Sequence, residues 1–375
     1  MHNINLSKPC ITDQAIDEAV SVLKSGWLTQ GKKVAELEDR IKSSIGVNYA
    51  LAVNSATSGL HGALLSLGVG EGDEVIVPSF TWVATANVVE LCGAKPVFVD
   101  IEPETFNAGL ENILNKTTKK TKAIIIVHLF GKPFDIANLK SKLNRNIPII
   151  EDSACALGAS INGIACGTMG EIGVFSFHPR KSITTGEGGV VVTNDEGFYN
   201  HMNMLRNHGQ DCTRINTRPS DMFDCPIVGF NFRMTDFQAA LGIPQFLQLD
   251  RMIEYRKNLV ALYKEKLSDC RLITLPSEEE NERHAWQSYV VSVPADQRDI
   301  IMDKLAAVGV ETRPGTHAVH TLSYYKNRYN FRQEDFPNAY GAFISTISLP
   351  LHNYITKEDI EYIAKNIIKA KNDLQ

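Results

Sequence analysis

The chain lacks most of the features that would settle its class quickly. No apolar run approaches the ~20 residues needed to cross a bilayer. The first residues, "MHNINLSKPCITDQA", have neither the basic start nor the apolar stretch of a secretory signal. Neither sign of charge dominates: 38 Lys and Arg stand against 43 Asp and Glu, a net of -5. Nothing therefore favours a nucleic-acid or membrane-surface partner. The seven cysteines are scattered and contain no Cys-x-x-Cys pair, which argues against a disulfide framework or a zinc site, and no metal is expected. No strand-like run is followed by Gly-x-Gly-x-x-Gly, which counts against a nicotinamide-binding dehydrogenase. There is no internal repeat and no low-complexity segment. The expectation is a cytoplasmic protein with reduced thiols, and its 375 residues suffice for two domains.

Short β-rich runs and helical stretches alternate from about residue 48 to 194. "YALAVNS", "DEVIVPS", "KPVFVD", "TKAIIIVHL" and "IPIIEDS" are continuous apolar runs suited to strands buried on both faces. "TSGLHGALLSLG" and "TANVVELCG" between them are long enough for helices. The alternation predicts an α/β fold with a mostly parallel sheet flanked by helices. "GVFSFH" and "GGVVVTN" are expected to continue that sheet with a tighter connection. From about 236 the pattern turns helical, with Gly242 and Pro244 marking a kink or break. "AWQSYVVSVP" then reads as a strand, "RDIIMDKLAAVG" as a helix, and "TKEDIEYIAKNIIKAKN" as a helix capped by Thr356 with Asp359 three residues on. This gives a large domain over 1–250 and a smaller C-terminal α+β domain over 251–375.

In an open parallel sheet, ligands bind at the carboxyl ends of the strands. Four features fall there. "NSATSGL" (54–60) joins a strand to a helix, and its small residues and free helix N-terminus suit a phosphate; read alone, it is as well explained by a cap. Asp152 ends an apolar strand, where an ionised carboxylate is costly without a partner; read alone, it is more readily a capping residue. Lys181 lies in "SFHPRKSITTGEGG" (176–189), between two strands. A loop lysine is usually a solvated charge, whereas a partly buried one can condense with a carbonyl. Ser176 stands five residues before it. A phosphate, a carbonyl for the lysine and a basic nitrogen for the aspartate together describe pyridoxal 5′-phosphate. Its ring also needs a stacking face, for which Trp82 is the candidate, against the plain alternative of a core aromatic.

At these residues the chain resembles the DegT/DnrJ/EryC1/StrS family of pyridoxal-phosphate-dependent sugar aminotransferases, on the aspartate aminotransferase fold (fold type I). The resemblance runs through "SGWLTQGKKVAELE", "NSATSGLHGALLSLGVGEGDEVIVPSFTWVATAN", "GAKPVFVDIEPETFN", "EDSACALGA", "SFHPRKSITTGEGGVVVTND", "GFNFRMTDFQAALG" and "ISLPLHNYITKEDI", in family order. It implies that Lys181 carries the cofactor and then moves the proton, that Asp152 partners the pyridine nitrogen, and that Trp82 stacks on one ring face with Ala154 on the other. Ala56, Thr57 and Ser176 would hold the phosphate. Asn231 of "GFNFR" would reach it from the other subunit of a homodimer. The implied reaction carries an amino group from a donor, glutamate, to a nucleotide-linked keto sugar, most often a 4-keto-6-deoxyhexose, with Trp27, Thr29 and His320 as candidates for the sugar site. "ETRP…VHT" and "GFNFRMT" resemble perosamine-type synthases. The chain departs from the family at Cys155, where Gln, His or Glu often stands near the cofactor's phenolic oxygen. A thiol is a weak hydrogen-bond former, so Cys155 is not assigned that contact. Two rivals remain in view: a sugar dehydratase of the same family, whose pattern replaces the lysine by histidine, and a non-enzymatic regulator, which would need no lysine–cofactor link.

Overall fold

The apolar runs become strands in the computed structural model, which describes residues 3–211 and 224–372. Seven strands form one sheet: β1 (Tyr49–Val53), β2 (Glu74–Pro78), β3 (Lys95–Val99), β4 (Thr121–Val127), β5 (Ile149–Asp152), β6 (Ile172–Ser176) and β7 (Gly189–Thr193). Their order across the sheet is β1-β7-β6-β5-β4-β2-β3. β7 pairs antiparallel with both β1 and β6, and every other pair is parallel. The carboxyl ends of the other six strands therefore lie along one edge, and β7 begins there. The segment between Ser176 and Gly189 is not a crossover helix. It stays at that edge as a loop, which is why β7 can reverse.

The sheet is buried on both faces, as the apolar runs predict. Along β4, Ile125 and Val127 enter one core cluster while Ile124 and Ile126 enter another, the two-residue period of a strand. Helices α1 (Asp13–Ser25), α2 (Lys32–Ile45), α3 (Ala56–Ser66) and α4 (Ala84–Leu91) follow in chain order. α3 begins directly after β1, with Ser55 as its cap: the Ser55 hydroxyl accepts from the Ser58 N–H at 3.1 Å. A further cluster gathers Leu259, Tyr263, Tyr289, Ile301, Ile347, Ile360 and Ile367, and Ile4 from the other end of the chain joins it. The strands Tyr289–Ser292 and Thr346–Leu349 pair antiparallel within it. This is the smaller α+β unit beside the α/β sheet. Its last helix, Lys357–Asn372, starts where the spacing predicts, with Thr356 and Asp359 exchanging hydrogen bonds.

One local expectation needs correction. The helical stretch after 236 does not break at Gly242 or Pro244. It runs as Asp236–Phe246 through the proline, and a second helix, Leu249–Leu267, follows. Gly242 is small for another reason: a Cβ there would lie 2.7 Å from Thr185 Cγ2. Its missing side chain lets this helix press against the loop that carries Lys181.

The centre of the sheet is packed as closely. A Cβ on Gly173, within β6, would lie 2.1 Å from the Gly167 carbonyl oxygen. Gly173→Ala must therefore move backbone, and is expected to cost about 1–3 kcal/mol or more. Urea unfolding of the purified variant checks this; an unchanged midpoint would contradict the packing.

Candidate active site

Two adjacent carboxylates end β5, and their surroundings separate them. Glu151 is fully buried and both its oxygens are engaged. It takes hydrogen bonds from His128 Nε2 at 2.8 Å, from the Gly167 N–H at 2.6 Å and from the Gly170 N–H. His128 Nδ1 in turn accepts the Phe134 N–H at 3.0 Å, which places the ring proton on Nε2. This network anchors the strand end and commits both Glu151 oxygens to the protein's own donors.

Asp152 faces the other way along the alternating strand. It is 6% exposed. Its carboxylate accepts from Thr85 Oγ1 at 2.8 Å and from the Ala154 N–H at 3.2 Å. No ion pair closes on it within 4.0 Å among the described residues. Burial raises its pKa, while the Thr85 hydroxyl and the nearby Lys181 charge pull it back. A buried carboxylate with two neutral donors retains acceptor capacity for a cationic N–H.

Lys181 Nζ lies 3.1 Å from Cys155 Sγ. The position that sequence reasoning passed over thus touches the lysine itself. The rest of the loop explains its glycines and threonines. The Thr184 hydroxyl and the Thr185 N–H both bond the Phe177 carbonyl. Gln245 clamps both sides of the Thr184 backbone, at 3.1 and 2.8 Å. Gly186 takes φ +82°, which a side chain would strain. The ring of His178 accepts the Arg180 N–H at 3.2 Å, so it shapes the loop.

A second cradle forms at the start of α3. A Cβ on Gly189 would fall 2.8 Å from the Ala56 nitrogen, and Gly189 pairs with Ser176 across β7 and β6. Ser176, Ala56 and Thr57 therefore meet where glycine lets the backbones approach. Among the described residues the N–H groups of Ala56 and Thr57 meet no acceptor. Such a helix N-terminus suits a phosphate. Trp82 is 62% exposed, its ring edge-on to His317 with centroids 5.6 Å apart. Its carbonyl accepts from the N–H of Thr85, the residue that bonds Asp152. The free acceptor capacity of Asp152, the amine of Lys181 and the open α3 terminus fit pyridoxal phosphate.

The structure brings together Asp152, Ala154, Lys181, Thr85 and Cys155, and beside them Ser176, Ala56 and Thr57. It leaves others apart. His320 is 0% exposed, enclosed against Phe336 with ring centroids 4.8 Å apart. The expectation that it lines the sugar site is corrected: the turn Val319–Thr321 carries it into the core. The exposed histidine facing Trp82 is His317, held there because His317 pairs with Thr81. Trp27 is 63% exposed, and Thr29 is also at the surface. Their turn folds on the N-terminus of the helix Asp236–Phe246, whose Asp236 carboxylate accepts from the Gly31 and Val34 N–H groups. Asn231 is exposed; its carbonyl accepts from Asn54 Nδ2 at 3.2 Å. Sequence reasoning missed Thr85 and His317. Thr85 lay within "TWVATAN", at the first turn of a predicted helix, and its position was a usable signal. His317 comes from a remote segment and had none.

Residues 9–368 match the DegT/DnrJ/EryC1/StrS aminotransferase family. The GDP-perosamine synthase of Caulobacter vibrioides is 36% identical over 366 residues, covering 96% of each chain. That of Escherichia coli O157:H7 is 34% identical and covers 100% of both. Among solved structures, Spr1654 of Streptococcus pneumoniae, described as a sugar aminotransferase, superposes in its PLP form with a TM-score of 0.92 at 31% identity, covering 100% of both chains. The same protein is solved in a PMP form.

Proposed function

Because the chain belongs to the DegT/DnrJ/EryC1/StrS aminotransferase family, and is a pyridoxal-phosphate-dependent sugar aminotransferase of fold type I, we propose that it moves an amino group from glutamate to a nucleotide-linked keto sugar. The sugar is of the 4-keto-6-deoxyhexose kind, and the product serves a surface polysaccharide or related glycoside. The observation that carries this reading is the meeting of the Lys181 amine, the buried Asp152 carboxylate and the open α3 terminus at one sheet edge. The GDP-perosamine synthases among the relatives support a nucleotide-linked substrate.

When bound, pyridoxal phosphate supplies an aldehyde for amines and a protonated ring that withdraws electrons. Asp152 would hold the proton on the ring nitrogen, fixed in place by Thr85 and Ala154. The Ala56 and Thr57 N–H groups and the Ser176 hydroxyl would hold the phosphate. Trp82 would cover one face of the ring and Ala154 the other. Lys181 Nζ would anchor the cofactor, then take the proton from the donor's α-carbon, and in the second half of the reaction deliver one to the sugar carbon. Trp27 and Thr29 would contact the sugar. The dehydratase reading would need histidine where Lys181 stands. A panel of nucleotide-linked keto sugars, incubated with glutamate carrying isotope-labelled nitrogen and followed by mass spectrometry, tests the reading. Label should enter one sugar; no labelled sugar from any member of the panel would contradict it.

The same reading makes the active unit a cytoplasmic homodimer with shared sites, the large domain over 1–250 holding the cofactor and the small one over 251–375 packed beside it. Ile16, Val20 and Leu23 leave α1 with an exposed apolar face, which supports a partner subunit. No helix of the described residues is long and apolar enough to cross a membrane. Asn231 would reach the phosphate of the partner's site. Asn231→Ala is expected to weaken cofactor retention by about 1.5–3 kcal/mol, the worth of a hydrogen bond to a charged group. Mixed dimers of Lys181→Ala and Asn231→Ala chains should regain activity in one of their two sites. Verified mixed dimers with no recovery would rule out the sharing.

A further inference from the structure

The Lys181 amine and the thiol it meets are 26 residues apart in the chain, and Nζ donates to Cys155 Sγ at 3.1 Å. Among the described residues this is the only hydrogen-bond partner of the amine, and no carboxylate stands within the 4.0 Å of an ion pair. Both backbones are held where they stand. The Ala156 N–H bonds the Ser153 carbonyl at 2.8 Å, closing the turn that follows Asp152. The Cys155 carbonyl packs against Gly131, where φ is +98° and a Cβ would lie 3.0 Å from that oxygen. On the other side the Lys181 N–H bonds the His178 carbonyl at 2.8 Å, and Gln287 Nε2 bonds the Arg180 carbonyl at 2.8 Å. A cysteine has a single rotor between its backbone and its sulfur, so Sγ is a nearly fixed point. Lysine ends a flexible four-carbon stem, and its nitrogen samples many positions unless something holds it.

A neutral primary amine has two N–H bonds and one lone pair. With one N–H directed at sulfur, the lone pair must point away from Cys155. We propose that Cys155 is a positioning residue that aims the Lys181 amine, both when it joins the cofactor aldehyde and when, once freed, it takes the donor's α-proton. The inference deepens the aminotransferase reading and rests on it. Joining the aldehyde bonds Nζ to the aldehyde carbon, and the two amine hydrogens leave with the carbonyl oxygen as water. The thiol is not consumed. Sulfur suits this task because it is a weak acceptor: it orients a nitrogen that has to leave and return in each cycle. A carboxylate in its place would make a bond about twice as strong and would favour the ammonium form, which has no lone pair to offer.

The test is reloading of the apoprotein with pyridoxal phosphate, followed by cofactor absorbance after rapid mixing. Cys155→Ala should join the cofactor about three- to tenfold more slowly than wild type, the worth of one modest hydrogen bond. Cys155→Val, which fills the space but offers no acceptor, should be as slow. Cys155→Ser keeps an acceptor and should restore most of the rate. Affinity for pyridoxamine phosphate, which has no aldehyde and does not join lysine, should be the same in all four proteins. The kcat for amino transfer should follow the order of the reloading rates with the KM for sugar unchanged, and thermal unfolding serves as the fold control. A wild-type reloading rate in folded Cys155→Ala or Cys155→Val would overturn the proposal. So would a matching loss of pyridoxamine phosphate affinity, which would put the thiol on the cofactor instead of the lysine. A serine variant as slow as alanine would make Cys155 a packing residue and sink the proposal too. Reloading needs neither sugar nor amino donor. If the sugar panel fails while reloading behaves as expected, the sugar assignment falls alone; the reverse result removes only the role of Cys155.

Discussion

Lys181→Ala is expected to lose amino transfer by about 10²–10⁴-fold or more, the range supplied by a positioned proton-transfer group. On the proposed role, in which Lys181 moves the proton and the sugar is held elsewhere, the loss should fall on kcat. The fold should survive. Lys181 Nζ has a thiol as its neighbour, at 3.1 Å, and Asp152 keeps its Thr85 and Ala154 donors when the lysine charge is removed. Lys181→Arg keeps a positive charge near Asp152 but offers no reactive amine, and should be as inactive as the alanine variant. Activity in Lys181→Arg comparable to wild type would show that only the charge mattered. Steady-state kinetics on both variants, with thermal unfolding as the fold control, decide between these outcomes.

Asp152→Asn is expected to keep its fold and part of its cofactor while losing about 10²–10³ in rate, the usual cost of removing one preorganised electrostatic group. The amide can still accept the Thr85 hydroxyl but cannot hold a proton on the ring nitrogen. The raised pKa of Asp152, caused first by burial, adds a pH dependence. In the proposed role its charged form is the one that would bind a cationic ring. Cofactor affinity should therefore weaken on acidification as the carboxyl takes up its proton, beginning at higher pH than for an ordinary aspartate. The asparagine variant has no such group and should lack that limb of the profile. An identical acid limb in both proteins would assign it to another residue.

Reading the chain without the structure reached the sheet because its strands are buried on both faces. "TKAIIIVHL" leaves little choice, and Ile124 to Val127 supply both core clusters in alternation. The site was legible for a related reason. Parallel strands end on one edge, so Asp152, Ser176 and the start of α3 had to meet there once the strands were known. What escaped was set by contacts between segments distant in sequence. Gly242 looked like a helix breaker, yet it is a close contact to Thr185. His320 looked available, and a single turn of 3₁₀ helix carries it under Phe336 while His317 stays outside. Ile4 joins a core made from residues more than 250 positions away, and no local pattern announces that. Cys155 was set aside as a weak hydrogen-bond former, and only the folded loop shows its sulfur against the lysine.

The most direct test of the account is to locate the lysine that carries the cofactor. The purified holoprotein is reduced with borohydride, digested and mapped by mass spectrometry. The cofactor should be found on the peptide containing Lys181 and on no other. Lys132 is engaged at 2.6 Å with Glu282 in a largely buried pair, and Lys122 is exposed on β4, so neither is placed to compete. Cofactor fixed on Lys132 or Lys122, or a reduced protein carrying none, would contradict the site assembled around Lys181, Asp152 and α3.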